Sequence, residues 1–89
     1  MEIEYTTQVR KENETFVAYA PELDVSSCGA TLKEAKHHLR EVVEGFLEEA
    51  QRMGTLQDIL EEAGYVREEK EWRAPKILST ERSRLMLAR

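Results

Sequence analysis

Only one cysteine, Cys28, occurs among the 89 residues, so no internal disulfide can form and the chain fits a reducing cytoplasm. Glycines number four, at positions 29, 45, 54 and 64, and their scatter excludes a phosphate-cradling loop, which needs them clustered ahead of a helix. No stretch approaches about 18 consecutive apolar residues, which excludes a membrane-spanning helix. The first residues, MEIEY, hold neither the basic nor the apolar region of a secretion signal. No repeat or low-complexity segment is visible. Aromatics are few: Tyr5, Phe16, Tyr19 and Phe46 promise a modest core. A chain this short has room for one domain and gains by burying surface against another copy, so a homo-oligomer, dimer or tetramer, is expected.

Charge is plentiful but uneven. Residues 1–66 carry 6 Lys/Arg against 14 Asp/Glu, whereas residues 67–89 carry 7 against 4. An acidic body argues against nucleic acid as its partner and suits a basic protein, although acidic surfaces also serve solubility.

The organising stretch is Thr31–Met53. Apolar residues at Leu32, Ala35, Leu39, Val42/Val43, Phe46, Leu47, Ala50 and Met53 make one stripe of an amphipathic helix about 34 Å long. Thr31 is placed as N-cap, with Glu34 three residues on to complete a capping box. Arg40–Glu44 and Glu48–Arg52 are spaced for i,i+4 pairs, and Gly45 leaves room for another backbone to approach.

Ahead of the helix, residues 2–10 alternate, with Ile3, Tyr5, Thr7 and Val9 on one face and Glu2, Glu4, Thr6, Gln8 and Arg10 on the other. Residues 15–20, TFVAYA, form a second strand, joined to the first by a polar turn in which Asn13 best tolerates positive φ. Pro21 ends that strand, and residues 25–28 form a third. After the helix, Gly54 suits the αL position, Thr55 caps a shorter helix LQDILEEA, and Gly64 closes it. Residues 65–72 are extended, or else REEKE turns between two short strands. In the tail, either Thr80 caps one helical turn or residues 76–87 form an edge strand, the favoured reading. The fold class is therefore α+β, a three-stranded antiparallel sheet carrying one long helix, plus a short helix and C-terminal strands. Residues 1–66 form the domain, and residues 67–89 an extension that docks on it or on a second subunit. Trp72, Ile77, Leu85, Met86 and Leu87 are the expected contacts between copies.

Little in the chain promises chemistry. A nucleophilic Cys28 needs a base within hydrogen-bond reach. It is expected on the sheet while His37 and His38 ride the helix, so an inert strand cysteine is the reading. The two histidines point about 100° apart and cannot share a metal. The basic set Arg67, Lys70, Arg73, Lys76, Arg82, Arg84 and Arg89, with Trp72 among them, could grip a phosphate backbone. Glu68, Glu69, Glu71 and Glu81 are mixed in, and pairing with the acidic body of a neighbouring copy accounts for the same charges.

The run from Glu14 to Ala50 resembles the HicB-like antitoxin family through Phe16-Val17-Ala18, Pro21-Glu22-Leu23, Gly29, Thr31, Glu34-Ala35 and the amphipathic helix that follows. The resemblance spans residues 3 to about 50. It implies a partial RNase H-like fold, and a protein that neutralises a small basic RNA-cleaving toxin of the HicA type by covering its active surface. Residues 54–89 match neither the ribbon-helix-helix nor the helix-turn-helix module that many family members carry, so direct DNA binding is not expected. A nuclease of RNase H type needs several carboxylates converging on one end of the sheet. Glu2 and Glu4 share the outer face of strand one with no partner on the next two strands, so the scaffold is read as inactive, not an enzyme, and without a cofactor. Glu2, Glu4, Glu41 and Glu44 are the expected partner-binding residues.

Overall fold

In the computed structural model residues 1–88 are described, and Arg89 lies outside them. The elements in order are β1 (Glu2–Ile3), β2 (Gln8–Glu12), β3 (Thr15–Ala20), β4 (Val25–Gly29), α1 (Leu32–Met53), α2 (Leu56–Glu62), β5 (Val66–Glu68) and β6 (Glu71–Arg73). The class is α+β, with β2-β3-β4 an antiparallel sheet and β1-β6-β5 a second one.

The run 2–10, expected as one strand, is divided. Its first part, β1, pairs in parallel with β6, Ile3 opposite Trp72; its second part, β2, pairs antiparallel with β3, Val9 opposite Ala18. Between them the backbone turns to other partners. The Thr6 N–H donates to Glu22 Oε1 at 2.9 Å, and the Thr6 hydroxyl donates to the other oxygen of the same carboxylate. The Tyr65 hydroxyl donates to the Glu4 carbonyl at 2.6 Å. Thr6 therefore turns inward and Thr7 outward, against the simple alternation. One stretch of chain thus serves as the seam between the two sheets.

Each tight turn places one residue at positive φ: Asn13 (59°) between β2 and β3, Asp24 (53°) between β3 and β4, and Glu69 (56°) between β5 and β6. Asn13 fulfils the expectation from its turn chemistry. The Tyr19 hydroxyl donates to the Asp24 carboxylate at 2.8 Å, and that hydrogen bond holds the phenol above its ordinary pKa. REEKE does turn between two short strands, with Glu69 and Lys70 as the turn itself, so the 66/67 division falls inside the β5–β6 hairpin. Trp72, expected at a contact between copies, is instead buried in the core of its own chain.

Helix α1 lies on β4 and β3 because the residues beneath it are small. Ala18 and Ala20 are fully buried, facing Ala35, Leu39 and Val43 of the helix. At Gly29 a Cβ would stand 2.7 Å from the Ala35 nitrogen, so only glycine lets the first turn of the helix sit this close. Two short strands make a floor narrower than the apolar stripe, and Leu32, Val42 and Met53 are left exposed. The Thr31 hydroxyl accepts the Glu34 N–H at 3.1 Å, while the Glu34 carboxylate takes the N–H of Ala30 instead of that of the cap itself. Gly54 ends the helix at φ 77°. Thr55 does not cap α2; its hydroxyl turns back toward the Ala50 carbonyl, 3.4 Å away. Arg52 pairs with Glu49, not Glu48, and no Arg40–Glu44 bridge forms among the described residues. Nothing comes within 4 Å of a Cβ placed at Gly45, so no backbone approaches it.

The core runs from Ala18, Ala20 and Leu23 through the helix to Leu56, Leu60, Tyr65 and Trp72. The tail does not form the expected edge strand: residues 74–88 contain neither helix nor strand. Ile77 is exposed at 55%, and Leu85, Met86 and Leu87 are 90%, 98% and 84% exposed. This projecting segment accounts for a radius of gyration of 15.6 Å, against about 12 Å for a compact chain of this length. Among the described residues no helix is long and apolar enough to cross a membrane.

Candidate protein-binding surface

The four carboxylates singled out from the sequence fall in three places. Glu2 on β1 and Glu4 just beyond it line a groove of about 460 Å³ together with Ile3, Glu71, Trp72 and Arg73. Arg73 is its electrostatic centre, 3.2 Å from Glu71, 3.3 Å from Glu68 and 3.9 Å from Glu4. Glu4 Oε1 also accepts the N–H of Ala74 at 3.0 Å, so this carboxylate fastens the exit of β6 as well as facing solvent. Glu2 makes no ion pair among the described residues and is the freer of the two.

Glu44 lies elsewhere, on the rim of a cleft of about 420 Å³ between α1, α2 and the N-terminus. Met1, Ile3, Leu47 and Leu56 supply its apolar surface, and Glu44, Glu48 and Gln51 its polar edge. The cleft meets the Arg73 groove at Ile3, which lines both. Glu41, one turn before Glu44, belongs to neither and stands 3.6 Å from His37 Nε2. Glu2 and Glu4 thus border the Arg73 groove and Glu44 the cleft that shares Ile3 with it, while Glu41 stands apart on the helix.

Cys28 lies on β4 and both histidines on α1, as expected, and one of them reaches the backbone of the strand. His38 crosses from the helix to β4, and its Nδ1 lies 2.7 Å from the carbonyl oxygen of Cys28. That contact requires the proton on Nδ1 and ties helix to sheet through the backbone oxygen. His37 points away into solvent beside Glu41. No group of three or more His, Cys, Asp or Glu side chains is placed to hold a metal among the described residues.

Sequence reasoning missed two polar anchors. Tyr65 is buried, and burial first, then the nearby charges of Glu22 and Glu4, holds its hydroxyl well above its ordinary pKa. Glu22, named above only within the Pro21-Glu22-Leu23 triplet, spends both oxygens on Thr6. Both contacts join residues far apart in the chain, and local spacing carries no signal for them. No family model, curated protein or solved structure matches this chain.

Proposed function

We propose that this chain is a HicB-like, antitoxin-type binding protein that neutralises a small basic HicA-type RNA-cleaving toxin by covering it. The observation that carries the reading is the pair of exposed carboxylates Glu2 and Glu41, neither of which has a Lys or Arg partner among the described residues. A basic partner gains from such unpaired carboxylates, both in its rate of approach and in its choice of face. The order of the elements supports the same reading. The resemblance implies three antiparallel strands, a helix and a further strand, and β2-β3-β4, α1 and the later strands follow that order. Work of this kind needs surface, not reactive groups, and belongs in the cytoplasm beside the toxin's RNA substrate.

The test is co-expression with small basic proteins encoded beside this gene. One of them should arrest growth alone and be tolerated with this chain. Glu2→Lys together with Glu41→Lys should weaken the complex about tenfold or more without unfolding the domain, since both side chains are exposed. If no neighbouring product binds the purified chain, the reading fails.

A further inference from the structure

We propose that the C-terminal segment of one copy lies in the Ile3–Leu56 cleft of a second copy. Leu85 and Leu87 then rest on its apolar floor, and Arg82 and Arg84 on Glu44 and Glu48.

The tail and the cleft answer each other in chemistry. Residues 85–87 are three consecutive large apolar side chains, almost wholly exposed, in a segment that otherwise carries Lys76, Arg82 and Arg84 against Glu81. The cleft presents Ile3, Leu47 and Leu56 beneath two carboxylates that no cation satisfies among the described residues. In an extended segment Leu85 and Leu87 share one side, which faces the floor. The long arginine stems can lie over the rim with their guanidinium groups on the carboxylates.

Direction makes the occupant a second copy. Because β6 runs parallel to β1, the chain leaves Arg73 heading away from Met1, and Lys76 and Ile77 are already beside Gln8 and Pro21. The cleft sits at the Met1 end. A tail reaching its own cleft would have to double back along the domain, whereas a neighbour's tail enters without reversing. Extended, residues 77–87 reach about 33 Å, more than the shorter dimensions of the molecule, 30 and 21 Å. When two copies exchange tails reciprocally, each giving one to the other and receiving one from it, the contact is two-fold and closes at a dimer. Exchanging both tails buries Leu85 and Leu87, 90% and 84% exposed in the single chain, twice over.

The experiment uses the purified full-length chain alone, so its outcome is separate from that of toxin binding. Sedimentation across a range of concentrations should give a dimer. Leu85→Ser with Leu87→Ser should weaken it about tenfold or more, with unchanged circular dichroism because neither side chain supports the domain. Glu44→Arg with Glu48→Arg should weaken it similarly, and adding Arg82→Glu with Arg84→Glu should restore it. A photo-crosslinker at position 87, in a mixture of isotopically heavy and light chains, should join heavy to light near Leu47. A monomer at every concentration overturns the proposal, as does a dimer indifferent to these substitutions. Cross-links confined to single chains overturn it too.

Discussion

The sheet beneath helix α1 and the sheet beside it are held by different means. In β2-β3-β4 the strands are five or six residues long, with full antiparallel ladders, and the helix approaches closely over Ala18, Ala20 and Gly29. In β1-β6-β5 the strands are two or three residues long, too short to stand on backbone pairing. There a few large or polar side chains do the holding: Trp72 in the core, Tyr65 on the Glu4 carbonyl, and Glu4 on the Ala74 N–H. The first sheet distributes its stability over many small contacts, and the second concentrates it in anchors. A single substitution should therefore separate them.

The largest effect is expected at Trp72. Trp72→Ala removes the one big buried side chain of the second sheet and should cost about 3–5 kcal/mol. Native-state hydrogen exchange is the measurement. Amides of β1, β5 and β6 should lose protection while those of β3 keep theirs. Equal loss throughout would mean that the two sheets unfold as one, and the comparison would be broken. Gly29→Ala tests the other side. Its methyl group would meet the Ala35 nitrogen and the Glu34 Cβ, so the first turn of α1 must move, at about 1–3 kcal/mol. Denaturant titration gives the value, and protection should fall around β4 and the start of α1.

Tyr65→Phe keeps the ring and removes the hydrogen bond to Glu4, at about 0.5–1.5 kcal/mol near neutral pH. Its pH dependence sharpens the point. The folded state holds the Tyr65 proton more tightly than the unfolded chain does. That contribution is whole below the ordinary tyrosine value of about 10 and falls away as pH rises above it. The native chain should thus lose stability in alkali faster than Tyr65→Phe does. Tyr19 is shifted in the same direction by Asp24, so Tyr19→Phe is the control. If the two variants respond alike, Tyr65 is no special anchor.

The same contrast sets what could be read from the sequence. The helix, its Thr31 cap, the Asn13 turn and the β2-β3-β4 meander follow from period, capping and turn chemistry, all of them local. Packing then confirms them, because Ala18, Ala20 and Gly29 leave the space that the stripe needs. Of the second sheet, the β5–β6 hairpin was legible as one of two readings of REEKE, but its pairing with β1 was not. The parallel partnership of Ile3 with Trp72 joins residues about three quarters of the chain apart, and no local pattern encodes it. Trp72 consequently read as a surface contact. Of the candidate surface, the carboxylates themselves were legible. Their division among the Arg73 groove, the cleft and His37 was not, since it depends on where β6 brings its arginine.

The smallest effect, at Gly45, bears on both comparisons. The residue is exposed in the middle of α1, with open space where a Cβ would stand, so glycine there only weakens the helix. Gly45→Ala should stabilise the chain by about 1 kcal/mol and raise Tm by about 4–8 °C. Calorimetry on dilute protein would show the gain if α1 is seated by its buried face alone. Gly45 also adjoins Glu44, on the rim of the cleft. A gain in dilute protein that vanishes at high concentration would mean that something comes close to the helix only on association. The helix would then have two working faces, one holding the sheet and one turned toward a partner, with the glycine serving the second.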